Sequence, residues 1–200
     1  MSETLRYLAL GDSYTIGEGV APEDRWPHQL VARLRADGVA IGEPEIIAAT
    51  GWTTDELNAG IDAADPQGPY DLVSLLVGVN NQYRGRDLEE YRTQFRGLLN
   101  RAIGFAEERV KRVVVVSIPD WGVTPFAAGR DRQAITEAIN VFNAVAQEET
   151  ERAGTAWVDI APLSRTQGAA VGADGLHPDG EAYTGWTALI FPAVRAMLRN

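Results

Sequence analysis

The sequence predicts an α/β protein whose helices cover both faces of an open parallel sheet. Short apolar runs alternate along the chain with longer stretches in which apolar residues recur at helical spacing. The run Val113–Val116 is apolar at every position, which is typical of a strand buried on both faces of a parallel sheet. Strands that alternate with helices are joined by right-handed crossovers, so all strands are expected to run in one direction.

Five short apolar segments are predicted to be the strands. They are residues 5–10, 45–49, 71–77, 112–118 and 155–160. Amphipathic helices are predicted over residues 26–36, 87–109, 131–153 and 179–199, and a further helix begins near Thr54 with Thr53 or Thr54 as its cap. Because no repeat or linker interrupts this alternation, residues 1–200 are predicted to form one domain.

The composition excludes several kinds of protein. Hydrophobic residues make up 45% of the 200 residues and charged residues 23%, as in an ordinary globular domain. The chain has no cysteine, so it holds no disulfide, no thiolate metal site and no cysteine nucleophile. Its formal net charge of −10 disfavours nucleic acid and anionic membrane surfaces as partners.

The N-terminal sequence indicates a cytoplasmic protein. No apolar run reaches the ~18 residues that a membrane span needs. The first residues lack a basic segment followed by an apolar stretch and a cleavage site, so no signal peptide is expected. The oligomeric state is not indicated by any pattern in the sequence.

Unusual residues follow four of the predicted strands. Ser13 follows the first strand, Gly51 the second and Asn80 the third, while His177 lies in the loop region after the fifth. In open parallel sheets the functional crevice lies beyond the carboxyl ends of the strands. These four residues are therefore expected to meet at one edge of the sheet.

The types of these residues point to nucleophilic catalysis. A serine hydroxyl needs a base within hydrogen-bond reach, and of the two histidines only His177 lies at this edge. His28, near the start of the first long helix, is more consistent with packing. Asp174 precedes His177 by three residues, which lets its carboxylate reach Nδ1, while Asp120 after the fourth strand is a rival partner.

An acyl-transfer site also needs donors aimed at the developing oxyanion. The backbone N–H of Ser13, the N–H of Gly51 and the side-chain amide of Asn80 are candidates. In isolation each is as readily explained by a turn or a cap. Their order along the chain and their common sheet edge favour the functional interpretation.

Four sequence blocks in this order resemble the SGNH, or GDSL, hydrolase family. The blocks are Gly11-Asp12-Ser13 with Gly17, then Gly51, then Gly78-Val79-Asn80, and last Asp174-Gly175-Leu176-His177-Pro178. The resemblance implies a flavodoxin-like three-layer α/β/α sandwich with five parallel strands in the order 2-1-3-4-5. It also implies an esterase, lipase, thioesterase or carbohydrate deacetylase that uses no metal and no cofactor. Ser13, Asp174 and His177 would be its catalytic triad, and Ser13, Gly51 and Asn80 its oxyanion hole.

One position departs from the family pattern. The third block usually continues with aspartate, whereas this chain has Asn81. An amide can keep hydrogen bonds that orient a neighbouring loop, but it carries no negative charge. Any role that depends on a negative charge at this position is therefore not expected in this chain.

Several aromatic residues are candidates for the walls of a substrate pocket, although packing beneath the loops is equally consistent with the sequence. They follow strand ends or occupy loops on the crevice side: Trp52, Tyr83, Trp121 and Phe126. Trp26, by contrast, is predicted to anchor its helix in the core.

These patterns predict hydrolysis of a small acyl ester through an acyl-enzyme at Ser13, with water as the second substrate and no cofactor. A carbohydrate or metabolite O-deacetylase on the same residues is the alternative enzyme. A binding protein that has lost turnover is an alternative from another class. A phosphate-binding flavodoxin-like module is a weaker one, since no Gly-Lys-Ser/Thr follows Gly11, Gly17 and Gly19.

Overall fold

Five parallel strands form a single sheet in the computed structural model of the protein, which describes residues 4–199. The strands are β1 (Leu5–Gly11), β2 (Ile41–Ala48), β3 (Leu72–Leu76), β4 (Val113–Val116) and β5 (Ala156–Val158). Their order across the sheet is β2-β1-β3-β4-β5, and every neighbouring pair is parallel. The predicted flavodoxin-like α/β/α sandwich and its strand order are confirmed.

Eight α-helices lie in the described part of the chain. They are α1 (Ser13–Ile16), α2 (Trp26–Ala36), α3 (Thr54–Ala64), α4 (Val79–Tyr83), α5 (Leu88–Phe105), α6 (Arg132–Ala153), α7 (Ala161–Thr166) and α8 (Gly180–Arg199). The long helices agree with the sequence prediction. The short helices α1, α4 and α7 were not predicted, because one turn or two is too little for a helical period to show.

Helices cover both faces of the sheet. On one face α2 packs against α8, and on the other α5 packs against α3 and α6. The central strands β3 and β4 are buried at every position, as their continuous apolar sequences predict. Trp26, the first residue of α2, is fully buried, which confirms its predicted role in the core. No helix within residues 4–199 is both long and apolar enough to cross a lipid bilayer.

Several strand boundaries differ from the prediction, and two of the differences have identifiable reasons. β2 begins at Ile41 rather than at residue 45, although Gly42 and Pro44 disfavour a strand. An edge strand tolerates proline, because its outer N–H groups have no partner in the sheet. At the other edge β5 ends at Val158, since the Ile160 N–H donates to Ser117 Oγ at 2.8 Å and turns the chain into α7.

Candidate active site

Ser13 lies at a sharp turn from β1 into α1. Asp12 caps α1, its Oδ1 accepting the Tyr14 N–H at 3.0 Å. The turn requires glycine at position 11, because a Cβ there would lie 2.6 Å from the Leu76 carbonyl oxygen. The turn brings Ser13, only 3% exposed, to the wall of a cleft at the carboxyl edge of the sheet.

His177 reaches the same cleft from the loop before α8, and Asp174 holds it there. The distance from His177 Nδ1 to Asp174 Oδ2 is 2.5 Å. Asp174 Oδ1 accepts the backbone N–H groups of Leu176 at 2.9 Å and His177 at 3.0 Å. Partial burial pushes the pKa of Asp174 upward, but the hydrogen bonds from the His177 ring and the two N–H groups outweigh it, so the pKa lies below its usual value.

The cleft has a volume of about 170 Å³ and brings together four of the predicted triad and oxyanion-hole residues. These are Ser13, Gly51, Asn80 and His177. The side-chain hydrogen bond of His177 within residues 4–199 is the one to Asp174, and none joins it to Ser13 Oγ. Such contacts are commonly long in free enzymes and shorten when substrate binds.

Three residues that line the cleft carry a polar hydrogen without a described acceptor. The Ser13 N–H starts α1 and so has no acceptor within the helix, and the Gly51 N–H has no acceptor among residues 4–199. Gly51 has φ of +85°, a conformation that side chains other than hydrogen disfavour. Asn80 Nδ2 donates one hydrogen to the Trp52 carbonyl at 2.9 Å, which leaves its second hydrogen free.

The sequence from β1 to the start of α8 corresponds to one known family. A model of the GDSL-like lipase/acylhydrolase family matches residues 9–184. This chain belongs to that family. Among curated proteins, none is similar enough in sequence to match the chain.

Solved structures of low sequence identity share the fold of this family member over nearly its whole length. The crystal structure of TesA is 20% identical, covers 98% of this chain and 100% of its own, and has a TM-score of 0.75. An inhibited psychrotrophic esterase from a Pseudoalteromonas species is 16% identical, covers 98% and 99%, and has a TM-score of 0.74. An acetylxylan esterase from Geobacillus stearothermophilus is 17% identical, covers 97% and 96%, and has a TM-score of 0.73.

Asn81, which departs from the family pattern, holds Thr54, the first residue of α3. Its side chain is buried, with Oδ1 accepting the Thr54 N–H at 3.1 Å and Nδ2 donating to Thr54 Oγ1 at 2.7 Å. Thr54 Oγ1 in turn donates to Gln94 Oε1 at 2.5 Å. The amide thus satisfies the first N–H of α3 and uses both of its polar atoms.

The aromatic candidates divide into two groups. Tyr83, Trp121 and Phe126 line the cleft and contact one another, with ring centroids between 5.4 and 6.3 Å apart. Trp52 does not line the cleft: its ring packs so closely on Gly60 that a Cβ there would lie 2.2 Å from it. Trp52 therefore has a packing role, which was the alternative to a place in the pocket wall.

The rival acid and the second histidine lie outside the cleft. Asp120 is buried and binds Arg165 Nε at 2.9 Å and the Gly122 N–H at 2.9 Å, so both of its oxygens are occupied. His28 lies in the first turn of α2, where burial lowers its pKa despite the nearby Glu43 carboxylate.

Four residues of the cleft were missed by sequence reasoning. They are Tyr14, Thr50, Val79 and Leu176. Val79 and Leu176 lie inside family blocks, and Tyr14 and Thr50 stand directly beside Ser13 and Gly51, so position within or next to the motifs was the available signal. The Tyr14 ring lies 5.4 Å from the His177 ring and forms the floor beside the histidine.

Asp12 is a buried carboxyl group next to the candidate nucleophile. It is fully buried, and its Oδ2 has no hydrogen-bond partner among residues 4–199. Burial raises its pKa to about 7, although the hydrogen bond from the Tyr14 N–H acts in the opposite direction. Asp12 therefore binds its proton far more tightly than an exposed aspartate.

Proposed function

We propose that this protein hydrolyses the ester of a small carboxylic acid through an acyl-enzyme formed at Ser13. One observation carries the proposal: His177, held through Nδ1 by Asp174 at 2.5 Å, shares a cleft with Ser13 and with three unused donors. A base with a fixed tautomer, a serine and an anion site are the parts that acyl transfer requires.

In the first step Ser13 Oγ attacks the ester carbonyl while His177 Nε2 takes the hydroxyl proton. The ionised Asp174 keeps the ring proton on Nδ1, so Nε2 is free to act as the base. The carbonyl oxygen becomes an oxyanion, which the N–H groups of Ser13 and Gly51 and the Asn80 amide stabilise. When the intermediate collapses, the C–O bond to the alcohol breaks and His177 returns the proton to the leaving oxygen.

In the second step water releases the acid. His177 Nε2 removes a proton from water, and the hydroxide attacks the acyl carbon bound to Ser13. Collapse of the second tetrahedral intermediate breaks the bond to Ser13 Oγ, which takes back the proton from His177. The reaction consumes one ester and one water and yields one alcohol and one acid.

The size and walls of the cleft favour a short acyl group. At about 170 Å³ the cleft lies below the range of roughly 300–1,000 Å³ found for drug-sized ligands. Trp121 and Phe126 make one wall apolar. We therefore expect acetate and butyrate esters to be better substrates than long-chain lipids.

An O-deacetylase acting on sugars is the second candidate, and Tyr83 favours it. Tyr83 as a residue is 47% exposed, lines the cleft, and its ring stands at 72° to the Trp121 ring. An exposed aromatic face beside a small acyl site suits a sugar ring. One of the similar structures is an acetylxylan esterase.

A hydrolysis panel tests both candidates. Purified protein is assayed on p-nitrophenyl acetate, butyrate and octanoate and on acetylated xylo-oligosaccharides, with Ser13→Ala as the control. Hydrolysis that is lost in Ser13→Ala supports the proposal, and a marked preference for the acetylated sugars selects the deacetylase. Equal activity in Ser13→Ala overturns the assignment of Ser13 as the nucleophile. No hydrolysis and no reaction of Ser13 with a fluorophosphonate probe favour the binding protein that has lost turnover.

A further inference from the structure

Arg84 ties the end of α4 to the loop that carries Gly51. Its Nη2 donates to the Gly51 carbonyl oxygen at 2.6 Å, and its Nη1 lies 3.2 Å from Glu56 Oε1. Glu56 is itself held, because its other oxygen accepts the Thr53 N–H at 2.9 Å. The guanidinium is thus oriented by a carboxylate that belongs to the first turn of α3.

Gly51 needs such an anchor for its N–H to point in one direction. Glycine adopts positive and negative φ with similar ease, so its own preferences do not hold the value of +85° seen here. The two peptide planes that meet at Gly51 carry its N–H on one side and its carbonyl on the other. Fixing the carbonyl holds one of these two planes, so fewer backbone rotations remain that can turn the N–H away from the cleft.

Two neighbouring carbonyls of this loop are fixed from the same short helix. Arg84 binds the oxygen of Gly51, and Asn80 Nδ2 binds the oxygen of Trp52. Arg84 directly follows α4, and Asn80 lies in its first turn. Asn80 supplies one donor to the cleft, and Arg84 binds the carbonyl of the residue that supplies a second. Both therefore belong to the same turn of chain.

The contacts of Arg84 contribute little to the stability of the fold. Its side chain is 41% exposed and that of Glu56 is 40% exposed. Exposed ion pairs of this kind contribute little to the free energy of unfolding. An effect of Arg84 on the reaction can therefore be separated from an effect on folding.

We propose that Arg84 is a positioning residue for the oxyanion hole, and that it acts by holding the Gly51 N–H toward the substrate carbonyl. This inference rests on the proposed ester hydrolysis. The donor acts most strongly on the tetrahedral intermediate, so its displacement lowers kcat and leaves KM nearly unchanged.

The test compares Arg84→Met, Arg84→Lys and Arg86→Met with the unaltered protein. Arg86 is the matched control, because it also pairs with the first turn of α3, at 3.4 Å from Asp55, and does not touch residues 50–52. Three quantities are measured: kcat and KM for p-nitrophenyl acetate, the second-order rate constant for phosphonylation by a fluorophosphonate, and the melting temperature.

For Arg84→Met we expect kcat and the phosphonylation rate constant to fall together by about 10- to 100-fold. This fall should not exceed the one caused by removal of a whole oxyanion donor. KM and the melting temperature should stay close to those of the unaltered protein. Arg84→Lys should recover part of the lost kcat, because an ammonium can still donate to the Gly51 carbonyl. Arg86→Met should keep its kcat within about twofold, as expected for an exposed ion pair.

A kcat for Arg84→Met within about twofold of the unaltered protein, or one reduced no more than in Arg86→Met, overturns the inference. A rise in KM alone overturns it as well. If Arg84→Met loses its tertiary structure, Arg84→Lys decides by the same comparison of kcat with KM. If the unaltered protein neither hydrolyses esters nor reacts with the probe, the proposed function itself fails, and this inference fails with it.

Discussion

Asp174 binds His177 at two points: Oδ2 lies 2.5 Å from the ring nitrogen Nδ1, and Oδ1 accepts the backbone N–H at 3.0 Å. A carboxylate three residues earlier in the chain thus fixes both the backbone turn and the ring of the candidate base. Because an ionised carboxylate only accepts hydrogen bonds, it selects the tautomer of the neutral imidazole that carries its proton on Nδ1.

Asp174→Asn should reduce kcat on the order of 10²- to 10⁴-fold, since an amide can stabilise the wrong tautomer and cannot stabilise the imidazolium. The measurement is kcat for p-nitrophenyl acetate. Asp179→Asn is the matched control: Asp179 lies in the same segment and accepts the Ala182 N–H at 2.9 Å, a cap that asparagine also forms. Equal losses in the two variants would argue against the role of Asp174.

Asn81→Leu should lower the free energy of unfolding by about 1–3 kcal/mol, because it leaves the buried Thr54 N–H without an acceptor. It should also reduce kcat, since the start of α3 holds the loop that carries Gly51. Chemical denaturation and hydrolysis kinetics measure the two effects. Asn81→Asp, which restores the residue usual in the family, keeps an acceptor for that N–H and should be closer to the unaltered protein. A leucine variant as stable as the aspartate variant would contradict this account.

Glu149 makes stability depend on pH at the acid end. Its side chain is 1% exposed and pairs with the guanidinium groups of Arg96, Arg92 and Arg152. The hydrogen bonds from Arg96 in particular lower its pKa from 4.5 to about 2. A lowered pKa in the folded state contributes stability above the unfolded-state value, and this contribution is lost as the pH falls from about 4.5 to 2.

Glu149→Gln should therefore lower the free energy of unfolding by up to about 3 kcal/mol at pH 7, and the difference from the unaltered protein should shrink between pH 5 and 2. Urea denaturation across this pH range measures it. Glu148→Gln is the control, because the Glu148 side chain is 57% exposed and pairs with Arg92. A difference that does not vary with pH would show that Glu149 contributes through packing only.

Asp12 should make stability depend on pH in the opposite direction from Glu149. Burial raises its pKa to about 7, so the folded state holds its proton more tightly than the unfolded state does. Its stabilising contribution is complete below pH 4 and is lost as the pH rises to about 7. Asp12→Asn keeps an acceptor for the Tyr14 N–H and cannot ionise, so it should gain stability relative to the unaltered protein between pH 4 and 8.

Denaturation at several pH values measures this gain. Asp87→Asn, at an exposed helix cap that accepts the Glu89 N–H, should show no such trend. A parallel pH dependence in Asp12→Asn and the unaltered protein would contradict the assignment of a raised pKa to Asp12.

The sequence predicted what depends on local pattern and missed what depends on side-chain direction. Continuous apolar runs revealed β3 and β4, and the strand ends revealed Ser13 and Gly51. The start of β2 was missed because Pro44 argues against a strand unless the strand is known to be at an edge.

Contacts between distant parts of the chain could not be predicted from one sequence. Arg84 and the carbonyl that it binds are separated by more than thirty positions, and Trp52 stood at a strand end without any sign that its ring packs on Gly60. By contrast, the pairing of Asp174 with His177 was predictable because three residues of chain bring the two side chains together.

The most direct test of the account is the reaction of the protein with a fluorophosphonate, followed by peptide mass analysis. The account predicts one phosphonylated residue, Ser13, with hydrolysis of p-nitrophenyl acetate lost in proportion to labelling and absent in Ser13→Ala. Hydrolysis that persists in a fully labelled protein or in Ser13→Ala, or labelling at another residue, would contradict it.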